Sequence, residues 1–204
     1  MPPVPIMRPD RAKVWKVELP TLTVDLGNFR RVSHRDHQSV VYFGKGAVYR
    51  FDDPMQGFGV MYAGSDYMTC ISESLLRDEI RLGMRPLYKA DIDVRVIASL
   101  FPATVTLVDL TDGLPLGLDG QISCTPDYAI AQDWARALYE HPSKPDGLYY
   151  IPRNYPKGIS IALFDRVQAR VPVREMPGTR IAVRQDPAYR DLLGQLMRAG
   201  IKLR

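Results

Sequence analysis

Three residue types that can do chemistry together fall within one stretch, Arg50 to Glu73, RFDDPMQGFGVMYAGSDYMTCISE. An arginine opens it, a tyrosine closes the apolar run Phe58–Tyr62, and a carboxylate, Glu73, follows eleven residues later. A guanidinium fork grips phosphate oxygens bidentately. A phenol face stacks on an aromatic ring, and a preorganised carboxylate stabilises a developing cation. Such a set suits an anionic ligand with an aromatic ring and a reacting sugar. Each residue also has a plainer reading: Arg50 can pair with Asp52 or Asp53, Tyr62 can fill a core, and Glu73 can pair with Arg77 at i+4.

Positioning these groups requires a turn, a strand and a helix, and the sequence carries a signal for each. Asp52-Asp53-Pro54 is a turn, through Asx hydrogen bonding and the fixed φ of proline. Phe58–Tyr62 reads as a buried strand with Ala63-Gly64 as its exit, and Ser65-Asp66 can cap the helix that follows. Met68, Ile71 and Leu75 lie along one face of that helix, with Leu76 and Ile80 beside it, and Gly83 ends it. Glu73 falls at the margin of this apolar face.

Other potential chemistry is thinner. His34 and His37 stand at i, i+3 in the polar segment SHRDHQS, but no acidic or cysteine cluster completes a metal site, so a solvated loop is the better reading. His141 reads as a loop residue. Gly44-Lys-Gly46 lacks the spacing and the helix of a phosphate-binding loop. Cys70 and Cys124 form neither a disulfide framework nor a metal pattern and read as small buried residues.

Along the rest of the chain, residues 1–13 read as an extended, proline-rich arm. Alternation suggests strands at Trp15–Leu19 and Leu22–Leu26, and β-rich runs at Val40–Phe43, Val94–Ile97, Val105–Val108, Leu148–Ile151, Ile159–Phe164, Ala169–Val173 and Arg180–Val183. Thr125-Pro126-Asp127 starts a helix through Trp134 and Leu138, and Asp186-Pro187 starts the last. About eight short strands and three helices in mixed order make the class α+β. The 204 residues, 46% hydrophobic and 25% charged, are enough for one domain with a substantial core. No apolar run approaches the length of a membrane span, and no secretory signal stands at the amino terminus. The expectation is a reduced, cytoplasmic protein. The net charge of +4 is scattered and comes with no nucleic-acid-binding signature.

Several of these segments, in this order, resemble the RES-domain family, the toxins of RES–Xre toxin–antitoxin pairs. RFDDP, FGVMYAGSD and ISESLL resemble the family's Arg-Phe-Asp, strand-Tyr and Glu-bearing helix. Asp109-Leu-Thr…Leu116-Gly-Leu118, Tyr128…Gln132-Asp-Trp-Ala135, Asp146-Gly-Leu-Tyr-Tyr150 and Ile161-Ala-Leu-Phe164 are similar to its later segments. The resemblance spans residues 26–166. It sets residues 1–25 apart as an arm and first strand, and 167–204 as strands and a helix completing the same domain.

The resemblance implies a compact α+β fold related to ADP-ribosyltransferases: a mixed or antiparallel split sheet with flanking helices. It implies NAD as substrate rather than cofactor, no metal, and cleavage of the nicotinamide–ribose bond by phosphorolysis or hydrolysis. Some family members instead transfer ADP-ribose to a protein. The implied partner is an Xre-like helix-turn-helix antitoxin, with homo-oligomers possible inside that complex and no direct contact with nucleic acid or membrane.

Carried over, the first family arginine falls on Arg31, or on Arg30 by a one-residue slip, the second on Arg50, the tyrosine on Tyr62 and the glutamate on Glu73. Arg31, Arg30, Arg50 and Tyr62 would bind NAD; Glu73, with Arg50 and Tyr62, would act in catalysis. The family serine aligns with Pro152, which has neither hydroxyl nor N–H. Ser160 and Ser143 lie nearby in sequence, and a weakened NAD-binding module is the alternative this departure raises.

Overall fold

In a computed structural model, which describes residues 7–76 and 86–204, eight strands form one mixed sheet. The strands are β1 (Thr21–Asp25), β2 (Arg30–His34), β3 (Val60–Gly64), β4 (Arg95–Ser99), β5 (Thr104–Asp109), β6 (Gly147–Tyr150), β7 (Ser160–Phe164) and β8 (Ile181–Ala182). Their order is β1-β5-β6-β7-β3-β2-β4-β8, antiparallel throughout except for β5–β6. Among the described residues the α-helices are α1 (Arg11–Val14), α2 (Tyr67–Ser74), α3 (Lys89–Asp93), α4 (Tyr128–Tyr139) and α5 (Tyr189–Arg198). The α+β class and the split sheet are both as expected.

The split has a specific form. β2 runs in full register with β4, five pairs from Arg30↔Ser99 to His34↔Arg95, and β3 with β7, five pairs from Val60↔Phe164 to Gly64↔Ser160. Between β2 and β3 only Arg30↔Gly64 pairs. From that point the two strands diverge, and the sheet forks.

Side chains alternate across the pleat. Ala162 and Phe164 of β7 and Val60 of β3 join Phe51, Phe58, Trp134 and Leu138 on one face, with Tyr62 packed against them. Ile161 and Leu163 join Met61, Leu26, Phe29 and Leu107 on the other. All five residues of β7 are buried, as befits a central strand covered on both sides. A third cluster packs α2 against Leu87, Ile92, Val183, Leu192 and Leu196.

Several segments differ from their sequence reading. The arm ends in a helical turn, α1, capped by Asp10, so Trp15–Leu19 is a turn and not a strand. Val40–Phe43 makes no ladder; the bridge there is the isolated Gly44↔Val60 pair. Ala169–Val173 is no strand either, since a 3-10 turn over Asp165–Ala169 consumes its start. The cap of α4 is Asp127, whose side chain accepts from Ala129 N, rather than Thr125. α5 begins three residues after Asp186, which instead accepts from Ala188 N. His34 belongs to β2 rather than to a loop. Cys70 is buried, but Cys124 is exposed, because the turn before it points Ile122 and Ser123 inward. Ile80, Gly83 and Arg77 lie outside the described residues.

Candidate active site

α2 owes its position to capping and to two glycines. Asp66 accepts from Thr69 N (2.9 Å), Thr69 Oγ1 (2.8 Å) and Ser65 Oγ (2.9 Å). Burial alone would raise the Asp66 carboxyl, but these bonds outweigh it and hold it below its ordinary value. The first turn of α2 then rests on bare backbone. A Cβ at Gly158 would sit 1.8 Å from Thr69 Oγ1, and one at Gly64 2.8 Å from Thr69 Cγ2. Two turns of helix carry Glu73 from this seat to a point where its Oε1 accepts from Asn154 N at 3.0 Å.

The loop before β3 is pinned by Asp52, which accepts from Val48 N and Tyr49 N, both at 2.9 Å, and from the Tyr62 hydroxyl at 2.9 Å. That hydroxyl also accepts from Phe51 N at 3.0 Å. Burial, then Asp52, push the Tyr62 phenol well above its ordinary value, so it stays a neutral donor. Asp53 is taken by Arg136 (2.8 Å), Met55 N (3.1 Å) and Gly57 N (2.6 Å). Neither carboxylate is left for Arg50. Its Nη1 donates to Thr125 O at 2.5 Å, and its guanidinium lies 4.7 Å from the centre of the Tyr128 ring.

Arg31 is the unusual group. Its Nη1 donates to Tyr62 O at 2.6 Å, taking a β3 carbonyl at the fork, while its buried Nε has no partner. Burial pushes its pKa down to about 10, which leaves it cationic at neutral pH. Among the described residues no carboxylate pairs with Arg31 or Arg50. Buried charges are normally paired, because desolvating one alone is costly. Two such guanidinium groups facing one cavity make a receptor for an anion.

That cavity is a cleft of about 710 Å³ in the fork, within the range of small-molecule sites. Arg31, Arg50, Tyr62 and Glu73 all line it. Arg30 does not: its side chain pairs with buried Asp186 at 2.6 Å. Pro152 is buried outside the lining, and Ser143 bonds His141. Ser160 is buried in the cleft wall opposite Gly64, beside Tyr150, whose hydroxyl bonds it.

The cleft also contains residues that the sequence reading did not assign to the site. Tyr49 sets its ring edge-on to Tyr62, centres 5.8 Å apart. Tyr128, Tyr150, Arg153, Asn154 and Arg95 join the lining, and so do His34 and His37. Of these, Tyr128 and Tyr150 lie inside segments already notable, and His34 and His37, read as a solvated loop, instead line the cleft. Cys70 is there too, its thiol pushed up by burial to about 12 and therefore inert. Among the described residues no group of three or more His, Cys, Asp or Glu can hold a metal, and no helix is long and apolar enough to cross a membrane. A shallower depression of about 420 Å³, at Tyr155, Lys157, Gln195, Arg198 and Ala199, shares no residue with the cleft.

The family model of the RES domain matches residues 28–185. Comparison with curated proteins finds no match. Among solved structures, a chain of the Mycobacterium tuberculosis MbcT–MbcA toxin–antitoxin complex superposes with a TM-score of 0.66 at 13% identity, over 90% of this chain and 96% of that one. At that identity the likeness is one of fold.

Proposed function

Since the chain belongs to the RES-domain family, we propose that it is the toxin of a toxin–antitoxin pair and acts by breaking the nicotinamide–ribose bond of NAD. The observation that carries this reading is Arg31: a half-buried cation with a buried, unpartnered Nε and no carboxylate partner among the described residues, in the same cleft as Arg50 and Glu73. The two guanidinium groups match the diphosphate, each offering a planar fork to phosphate oxygens. The tyrosines lining the cleft, Tyr62 and Tyr49 among them, offer ring surface to the nicotinamide.

Loss of nicotinamide leaves positive charge on the ribose C1′ and ring oxygen, as in glycoside cleavage. Glu73, oriented by Asn154 N, stabilises that charge and can hold a ribose hydroxyl. The electron pair of the broken bond leaves with the nicotinamide nitrogen, which becomes neutral, and an acceptor then bonds to C1′. Water gives hydrolysis, phosphate gives phosphorolysis, and a protein side chain gives ADP-ribosylation. Ser160, in the cleft wall where Pro152 is not, supplies a hydroxyl that favours turnover over mere binding. The partner in this reading is an Xre-like antitoxin that covers the cleft mouth, where Tyr42 and Tyr49 are 62% and 42% exposed.

The test is NAD consumption with and without phosphate, with the products identified. Glu73→Gln should lower the rate about 10²–10³-fold at unchanged folding, the usual value of one preorganised charge-stabilising group. Full activity in that variant removes Glu73 from the mechanism. Label appearing on protein rather than in solution selects the transferase.

A further inference from the structure

Two arginines in the cleft lining, Arg95 and Arg153, have no role in this reading, and Arg95 has a distinctive setting. Arg95 opens β4, directly opposite His34 of β2, so the two side chains emerge side by side on one face of the ladder. Its Nε is buried without a partner, and among the described residues its guanidinium makes no hydrogen bond or ion pair. His37 completes the group, its ring 6.0 Å from that of His34 and its Nδ1 3.0 Å from Ser33 Oγ. All four residues line the cleft with Arg31. Asp36, its side chain 75% exposed, sits 3.3 Å from His34 Nδ1 and 3.8 Å from Arg35.

The position matters as much as the composition. Arg31 stands beside the single β2–β3 pair, whereas His34 lies three residues farther along β2, about 10 Å by strand rise and on the opposite face of the pleat, and both line the cleft. A diphosphate held by Arg31 and Arg50 therefore leaves a second cationic point elsewhere on the wall of the same cleft. We propose that Arg95, His34 and His37 form a second anion subsite, which takes a phosphate monoester dianion. A fork of guanidinium N–H groups with two imidazoles presents donors from three sides. That suits a tetrahedral group with three acceptor oxygens better than a planar carboxylate. This inference rests on the NAD reading. Two sources carry such a group: the ribose 2′-phosphate of NADP, and inorganic phosphate entering as acceptor.

Binding measured without turnover separates the possibilities. In a Glu73→Gln background, NAD, NADP and inorganic phosphate (the last with and without NAD present) are titrated calorimetrically, with Arg95 intact and as Arg95→Gln. If NADP is the source, it binds about ten- to a hundredfold more tightly than NAD, and Arg95→Gln removes the difference. If inorganic phosphate is the source, it binds in the presence of NAD, and Arg95→Gln weakens it by a similar factor. Affinities for both unchanged by Arg95→Gln overturn the subsite. Should that variant melt early, Arg95→Lys and His34→Gln repeat the comparison with smaller perturbation. Failure of the NAD reading shows itself separately, as no NAD loss with the unmodified protein.

Discussion

Arg30 and Arg31 are neighbours of identical type with opposite fates. On a strand, adjacent side chains leave by opposite faces, so register decides which enters the cleft. Arg30 faces Asp186, 156 residues away, and Arg31 faces the fork. A single sequence narrows the choice to the pair and no further. Arg50, Tyr62 and Glu73 are legible because local turn, strand and helix signals carry them. Arg95 is not, since only its pairing with His34 brings it to the site. The energetic prediction concerns Arg31. A half-buried cation with a buried, unpartnered Nε and no carboxylate costs stability that a ligand recovers, the usual opposition between stability and function. Arg31→Met should therefore hold the melting temperature or raise it by a few degrees, while NAD binding weakens about tenfold or more. A melting temperature that drops sharply would show Arg31 to be a structural strut through Tyr62 O.

At the scale of elements, α2 was readable from Ser65-Asp66 because capping is local chemistry. β7 was readable because its apolar run is buried in the sheet, and β1 and β5 because polar and apolar residues alternate along them. Val40–Phe43 and Ala169–Val173 have the same β-rich composition but no neighbour to pair with, and composition cannot supply one. The seat of α2 is equally invisible: nothing in the sequence announces that Gly158 lies against Thr69. Its consequence is testable. Gly158→Ala puts a Cβ into Thr69 Oγ1, which also bonds Asp66. The substitution should lower the melting temperature by several degrees, as overpacking costs about 1–3 kcal/mol. It should also cut NAD turnover, since Glu73 moves with the helix. Unchanged turnover in a folded variant would mean that the start of α2 does not position Glu73.

For the molecule as a whole, the α+β class followed from element order, whereas the strand order and its fork did not. Strand order here depends on long-range pairings such as β3 with β7, a hundred residues apart. The loop behind Arg50 is joined to α4 by a charge link with a defined pH response. Burial alone would raise the Asp53 carboxyl, but Met55 N, Arg136 and Gly57 N hold it below its ordinary value of 3.8. A carboxyl held low in the folded state stabilises the fold above pH 3.8 and loses that contribution as pH falls through its folded value. Asp53→Asn should therefore melt earlier than the parent at pH 7, and the gap should narrow below pH 3.8. A gap independent of pH would assign the loop's stability to packing instead.

The single β2–β3 pair has one more consequence. A cavity produced by the parting of two strands is drawn in main chain, so its existence does not depend on which side chains border it. The container and its contents thus depend on different parts of the chain. Descendants can exchange His34, His37 or Arg95 and so alter what enters, while the paired apex at Arg30 and Gly64 keeps the opening in place. Diversity of chemistry in such a fold is cheap where the fork is wide and forbidden where it begins.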